Sequence, residues 1–482
     1  MIYINHDSKK PIYLQIYEQI RSAILSGALS EGDKLASMRV LAKTLNVARN
    51  TVEYAYAQLC LEGFVLNKPG AGFFVLSVDN RSLPSSGNRT EGVGVTFNRD
   101  QSIPEDLLAY IYEESQQYQY DFGFTSIPDG LFPYSAWGKL YNDVLKSADR
   151  HKMNVYNDKQ GDAELRKEIA RHLSFSRGVR CCFEQIVLCC GMQYSLDLIC
   201  MLLSNSVTSF AIEEPANDRI RTVITNNRYN LIPVPVESDG INVNALERSG
   251  AHAVFVTPSH QFPTGVLMSI QKRMQLLEWA AGKNAIIVED DYDSELRYHS
   301  APVPSLQSFD GSDRVVYMGS FSKALSPDLR ISYLVLPPWL LAKYHETYAR
   351  YRPTIPWLQQ RVLFRFIKEG YLERHIRKLC NLNEKKHDAL VRVIEELMGD
   401  KVRIHGKNAG SHVVLEFAGG EEQKWLIGRA KEFGVKVYPT APFWYNEENC
   451  PKNTLLIGYS TLDQEKIIQG ITLLSKAWFG GL

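Results

Sequence analysis

MGSFSKALSPDLR, residues 318–330, is the stretch on which the reading of this chain turns. A short apolar run, Val315-Val316-Tyr317, precedes it with the pattern of a buried strand running into a loop. Lys323 stands between small and hydroxyl residues, Ser320 and Ser322 among them, and Arg330 follows seven positions later. A lysine that performs amine chemistry needs a partly desolvated site in which its neutral form is accessible. The serine hydroxyls and the planar N–H fork of an arginine can hold a phosphate beside it. Taken alone, the same residues also describe a solvated turn after a strand.

A second stretch weights the choice. Ala285–Val288 (AIIV) is another apolar strand, and it runs into Glu289-Asp290-Asp291-Tyr292-Asp293, with Asp290 standing 33 residues before Lys323. Carboxylates crowded at a strand end are costly unless a positive group sits there. A protonated pyridine nitrogen is such a group, with Asp290 as its partner and the Tyr292 hydroxyl placed for a phenolic oxygen on the same ring. An amine, an anion pocket and an acid for a pyridinium are together what pyridoxal 5'-phosphate requires.

With these residues in view, the chain resembles the aminotransferase fold of pyridoxal phosphate enzymes (fold type I). The resemblance implies that Lys323 is the catalytic Schiff-base lysine, that Asp290 pairs with the pyridinium, and that Ser320, Ser322 and Arg330 hold the phosphate. Gly191-Met192-Gln193 opens a helix after the strand Gln185–Leu188, a βα turn that can serve as a phosphate cradle. By resemblance Met192 and Gln193 contact the phosphate. Asp121–Pro128 and Tyr156–Arg166 resemble the fold's entry segments. Thr257–Gly265 (TPSHQFPTG) resembles its Asn-Pro-Thr-Gly loop, with Phe262 in place of the asparagine. Either His260 or Gln261 takes over contact with the ring oxygen, or His260 is a structural loop residue. Strands and helices alternate through SFAIEE, YNLIPVPV, AHAVFVTP, a helix at Ile270–Ala281, AIIVEDD and VVYMGS, which is the pattern of a mostly parallel sheet covered by helices. A long helical stretch, Gln359–Leu397, leads into a small C-terminal α+β subdomain.

Residues 1–76 form a separate unit. Pro11 opens a helix with Leu14, Ile16, Tyr17, Ile20 and Ile24 mostly on one face. Leu35–Leu45 is a second helix with Ser37 as N-cap, Asn46-Val47 a tight turn, and Arg49–Leu61 a third helix. FVLNKPGAGFFVL then reads as two strands about a Pro-Gly-Ala-Gly turn. Such a winged helix-turn-helix places its third helix in the DNA major groove. The unit is only mildly basic, eight Lys or Arg against six Asp or Glu. Yet Ser37, Arg39 and Lys43 on the second helix, Arg49, Asn50 and Thr51 at the start of the third, and Lys68 and Gly70 at the wing tip are placed for phosphates or base edges. A small helical packing module with a solvated face has the same pattern. The unit resembles the winged-helix domain of the GntR family of bacterial regulators through LASMRVLA, then VARNTVEYAYAQLCLEG, then the wing GAGFFV. Ala36 stands where that family usually has Pro, and Ala48 where it has Ser.

The bulk properties bound these readings. At 482 residues the chain exceeds one ordinary core. Lys plus Arg and Asp plus Glu balance at 54 each, so a nucleic-acid partner must be met by a local patch. The eight cysteines include adjacent pairs, 181–182 and 189–190, without a His cluster, which argues against a metal site or a disulfide framework. With no long uncharged apolar run and no signal-peptide core at MIYINHDSKK, the expectation is a cytoplasmic protein with no membrane partner. The expected architecture is α/β: a winged helix-turn-helix at 1–76, a polar linker at 77–104, and an aminotransferase-like body at 105–482.

The combination resembles the MocR (GabR-type) subfamily of GntR regulators. It implies binding to double-stranded operator DNA, a homodimer, commonly head-to-tail with each DNA unit on the other subunit's body, and a small-molecule effector acting at the cofactor. Departures bear on that effector. Thr461, in LLIGYSTL, stands where the aminotransferases carry a carboxylate-clamping arginine, and threonine cannot make a bidentate ion pair. Asn217 stands where an aromatic often stacks on the ring, while Arg219 is kept. The expectation is a regulator that senses pyridoxal phosphate itself, as relatives controlling vitamin B6 synthesis do, or an amine or amino-acid-like ligand. The alternatives are a working aminotransferase with a DNA-binding appendage and a cofactor-free structural body.

Overall fold

The computed structural model describes residues 2–5, 8, 10–77, 118–128, 130–147, 153–155, 158–298, 303–348, 351, 354–407 and 409–480. Two compact units make up the chain, Met1–Glu113 and Glu114–Leu482. From residue 78 onward the expected linker lies outside the described residues, as do Tyr156 and Asn157.

In the first unit, α1 (Ile12–Leu25), α2 (Met38–Leu45) and α3 (Arg49–Leu61) precede a hairpin of β1 (Val65–Lys68) and β2 (Gly72–Val75). Ile16, Ile20, Val52, Ala55 and Leu59 bury the apolar stripes of α1 and α3 against each other. Asn46, at φ 50°, makes the tight turn between α2 and α3. The second helix starts at Met38, three residues later than expected. Leu35 donates its N–H to the Phe73 carbonyl (2.9 Å), so the chain there is tied to the wing rather than coiled. Ser37 caps the helix through its hydroxyl, which accepts from the Val40 N–H.

The second unit is built on an eight-stranded sheet in the order β4 (Ile186–Cys190), β11 (Ile331–Val335), β10 (Val315–Ser320), β9 (Ile286–Asp291), β8 (Ala253–Val256), β5 (Ser209–Glu214), β6 (Asn230–Glu237), β7 (Gly240–Ile241). The run from β10 to β6 is parallel, whereas β11 is antiparallel to both its neighbours and β7 to β6. Residues on every strand from β8 to β11 are buried, as expected for a sheet covered on both faces.

Three boundaries differ from the sequence expectation. β9 runs through Asp291 instead of ending at Val288, because Glu289 and Asp291 have partners. Glu289 accepts N–H groups from Leu306 (2.7 Å) and Gln307 (2.8 Å), and Asp291 is held by Arg177 and Tyr317. Asp290 therefore lies within the strand, opposite Met318 of β10. The helix runs Met192–Leu203, two residues earlier than the Tyr194 start expected after the Gly191-Met192-Gln193 opening. The stretch 359–397 is two helices, Trp357–Lys368 and Tyr371–Met398, broken at Gly370 (φ 72°), a conformation open to glycine and unfavourable in a helix interior.

The helices Tyr371–Met398 and Gln464–Phe479 back a small antiparallel sheet ordered β12 (Val402–His405), β13 (His412–Phe417), β16 (Thr454–Gly458), β15 (Tyr438–Pro439). The entry segment joins it: β3 (Tyr120–Asp121) pairs with β14 (Val435–Lys436), and the Gly458 N–H donates to the Phe122 carbonyl. That docking carries Phe124 and Thr125 across to the main sheet. Among the described residues no helix is long and apolar enough to cross a membrane, and no His, Cys, Asp or Glu cluster could hold a metal ion.

Candidate functional site

A cavity of about 180 Å³ opens at the carboxyl ends of β5, β8, β9 and β10, the place where parallel sheets present ligand sites. The structure brings Asp290, Tyr292, Ser320, Ser322, Lys323, Arg330, Met192 and Gln193 together around it, with Asn217 and Arg219 on the rim side. His260 and Thr461 do not line it.

Lys323 lies just past β10, and its Nζ donates to the Phe124 carbonyl (2.5 Å). Burial lowers its pKa to about 8; Asp293 opposes that shift and Arg219 adds to it. A substantial neutral fraction is thus present near neutral pH, as nucleophilic attack by an amine requires.

Beside it is a corner built for an anion. Met192 and Gln193 open their helix, so their N–H groups have no acceptor in the preceding turn. The Arg330 guanidinium lies against that helix end. A Cβ on Gly191 would come within 2.4 Å of Arg330 Nη2, so residue 191 must be glycine for the arginine to reach. The guanidinium has no hydrogen-bonding or ionic partner among the described residues. Ser320 Oγ accepts from the Ser322 N–H (3.0 Å), and both serines line the cavity.

Asp290, on the opposite edge, is buried and takes no hydrogen bond from any described residue. Burial first, then the charges of Asp291, Asp293, Glu213 and Glu289, hold its pKa well above the usual carboxylate range. Its neighbour behaves differently. Burial also opposes ionisation of Asp291, but Arg177 (Nε to Oδ2, 2.7 Å) outweighs it and keeps that carboxyl ionised. Asp291 is structural, and Asp290 is the acid that lacks a cation. A flat heteroaromatic ring with a protonated nitrogen at Asp290, a carbonyl at Lys323 and a phosphate in the Arg330 corner fits these residues.

The far wall differs from expectation. Thr461 Oγ1 donates to the Asp121 carbonyl (3.3 Å), turned into the seam with the entry segment, so position 461 offers the cavity nothing. Phe262 lines the wall where the resembling motif has asparagine. Neither His260 nor Gln261 lines the cavity: His260 sits behind Tyr292 (Nδ1 to hydroxyl, 3.1 Å), and Gln261 donates to the Pro215 and Phe262 carbonyls (2.7 Å each). The cause is the loop itself, which buries both side chains.

Sequence reasoning missed Phe124, Glu213, Ser411 and His412, all of which line the cavity. Burial pushes Glu213 up to about 7 against the bonds from Thr257. Burial, with His260 and Lys323 nearby, pushes His412 well below its ordinary value, so its ring is neutral. Glu213 carried a legible signal, an acid ending the strand SFAIEE; His412 lies on another sheet and carried none.

In the N-terminal unit, Ser37, Arg39, Lys43, Arg49, Asn50, Lys68 and Gly70 are exposed and Thr51 is half-buried. They occupy the ends of α2 and α3 and the tip of the hairpin.

Comparison with known proteins gives these two sites their family. A model of the bacterial regulatory proteins of the gntR family matches residues 12–75, and one of class I and II aminotransferases matches residues 128–352. The uncharacterized HTH-type transcriptional regulator YdeL of Bacillus subtilis is 36% identical over 478 residues, 99% of this chain and 98% of its own. The probable rhizopine catabolism regulatory protein MocR of Rhizobium meliloti is 31% identical over 99% of this chain and 96% of its own. The chain belongs to the MocR-type subfamily of GntR regulators. Among solved structures, the α-aminoadipate aminotransferase LysN of Thermus thermophilus, complexed with N-(5'-phosphopyridoxyl)-L-leucine, is 27% identical with a TM-score of 0.67, over 77% of this chain and 94% of that one. The body of this MocR-type chain is therefore a fold-type I aminotransferase domain, and its winged helix is a DNA-binding domain.

Proposed function

We propose that this MocR-type regulator binds operator DNA through Arg39, Arg49, Asn50, Thr51 and the wing residues Lys68 and Gly70, and holds pyridoxal 5'-phosphate in its body. The observation that carries the reading is the pairing, around one cavity, of a partnerless buried acid, Asp290, with a desolvated amine, Lys323, and an unpaired Arg330 at a helix start. Lys323 supplies the amine that bonds the cofactor's aldehyde, Asp290 the counter-charge for its ring nitrogen, and Tyr292 a hydroxyl toward its phenolic oxygen. Ser320, Ser322, Arg330, Met192 and Gln193 hold its phosphate. When bound, the cofactor offers an electrophilic carbon that exchanges amines.

With Thr461 turned away and Phe262, Ser411 and His412 on that wall, the cavity has no arginine fork for an α-carboxylate there. The cofactor itself is then the signal, with Arg219 and Asn217 as contacts for any further ligand. Residues 77–104 are the linker between the DNA unit (1–76) and the body (105–482), and the working form is a cytoplasmic head-to-tail homodimer. A ligand shifts its DNA affinity only through different affinities for two arrangements of that dimer.

The test titrates the purified full chain on operator DNA with pyridoxal phosphate, then with amino acids. A cofactor-dependent change in DNA affinity supports the reading. Indifference to the cofactor with a response to an amino acid rejects it. The rival, a working aminotransferase with a DNA-binding appendage, draws on the same Lys323 at about 8. Sustained turnover of an amino donor with a keto acid would favour it.

A further inference from the structure

The sequence left the part played by His260 open, and its surroundings now define it. His260 is buried in the 257–265 loop, and a Cβ on Gly410 would lie 2.1 Å from its Cε1, so its ring is clamped against backbone. Nδ1 lies 2.8 Å from Asp293 Oδ2 and 3.1 Å from the Tyr292 hydroxyl. Nε2 is buried with no hydrogen-bond partner among the described residues. A proton on Nε2 would lose its solvation without a replacement acceptor, so the ring carries its proton on Nδ1, facing the Asp293 carboxylate and the phenol oxygen together.

Tyr292 forms part of the cavity wall; His260 stands behind it. Beside Tyr292 the wall is Phe262, whose ring packs edge-on against it (6.4 Å, 82°) and has no polar atom to offer. An asparagine at 262, as in the resembling motif, could reach the ring oxygen with its own amide. Here that oxygen has Tyr292, and the orientation of Tyr292 depends on what lies behind.

We propose that His260, anchored by Asp293, is a positioning residue that fixes the Tyr292 hydroxyl toward the cofactor's phenolic oxygen. The chain Asp293–His260–Tyr292 thereby does what the side chain excluded by Phe262 would otherwise do. This rests on the reading that pyridoxal phosphate occupies the cavity. Besides Asp293, which also bonds the Tyr292 hydroxyl directly, the groups facing Tyr292 are the carboxyls of Asp290 and Glu213; Lys323 faces Asp293 and Arg219, and the neutral His412 ring is tilted by 49° to that of His260 with centroids 5.1 Å apart.

The experiment reads the pH midpoint of the visible absorption band of the full chain loaded with pyridoxal phosphate. His260→Gln is made alone, with Tyr292→Phe, and with Phe262→Asn. The expected shift is about one pH unit for His260→Gln alone, little further change when Tyr292→Phe is already present, and partial restoration by Phe262→Asn. Equal shifts with and without the Tyr292 hydroxyl, or no shift, overturn the proposal. His260→Asn, measured the same way, serves if the glutamine variant does not fold. A wild-type chain with no visible band defeats the reading of the site as well, whereas a band with additive shifts defeats only the role of His260.

Discussion

The two walls of the cavity have been treated differently. The wall made by β9, β10 and the start of the helix Met192–Leu203 gathers Asp290, Lys323, Ser320, Ser322 and Arg330, the groups we propose for a phosphorylated pyridine aldehyde. The wall made by the 257–265 loop and the C-terminal sheet presents other side chains, and on our proposal it gives an amino acid no carboxylate grip. Phe262 and a neutral His412 face the cavity, and Thr461 is bonded to the Asp121 carbonyl. Turnover needs both walls, while holding a cofactor needs one. On the proposed reading, the contrast is between a wall that holds a cofactor and a wall that offers a substrate carboxylate no ion pair.

The sharpest break of this contrast is Lys323→Ala. It should abolish the visible absorption band and the borohydride-fixed pyridoxyl adduct while leaving the chain folded, as judged by circular dichroism. An adduct at another lysine would show that the first wall has been misread. Asp290→Asn comes next. Leaving the ring nitrogen without its counter-charge should weaken cofactor binding by roughly 10²–10³-fold, the scale of breaking a buried ion pair, measured by fluorescence titration of the cofactor-free protein.

Arg330→Ala removes charge-assisted bonds at one end only, and a loss of about 10–100-fold in the same titration is expected. Inorganic phosphate should compete with the cofactor in the parent and much less in the variant. A smaller effect comes from pH. The Lys323 amine is protonated below about 8 and neutral above it. The rate of cofactor capture, followed by stopped-flow absorbance, should therefore rise about tenfold from pH 7 to pH 9 and then level off. A rate that falls over that interval would contradict a lysine nucleophile.

The smallest change sharpens the contrast from the other side. Thr461→Arg restores one cation but neither the loop nor the seam around it. A gain of about fivefold in amino-acid affinity is expected, the worth of one partly solvated ion pair, read by calorimetry on the loaded protein. A restored transaminase would mean that a single residue separates the two walls.

The first wall was legible because its parts follow strands. Lys323 follows β10 and Arg330 directly precedes β11, Asp290 is the penultimate residue of β9, and Gly191 opens a helix after β4, so each announces itself as polar or small residues beside an apolar run. The helix-turn-helix was legible for a similar reason, since Ser37, Asn46 and the Pro-Gly-Ala-Gly turn mark its boundaries by local backbone chemistry. The second wall was not. His412 reaches the cavity from a sheet that folds on its own hydrophobic core, and Phe124 arrives only because β3 pairs with β14.

By itself, then, the sequence determined the two folds, their order along the chain and which residues were candidates for a cofactor, because those depend on periodicity and on spacings of a few residues. Tertiary structure alone decided that Asp290 goes unpaired while Asp291 does not, that Thr461 turns from the cavity, and that His260 stands behind Tyr292. In each case the outcome depends on which distant backbone or charge lies within hydrogen-bonding reach, and chain packing sets that distance.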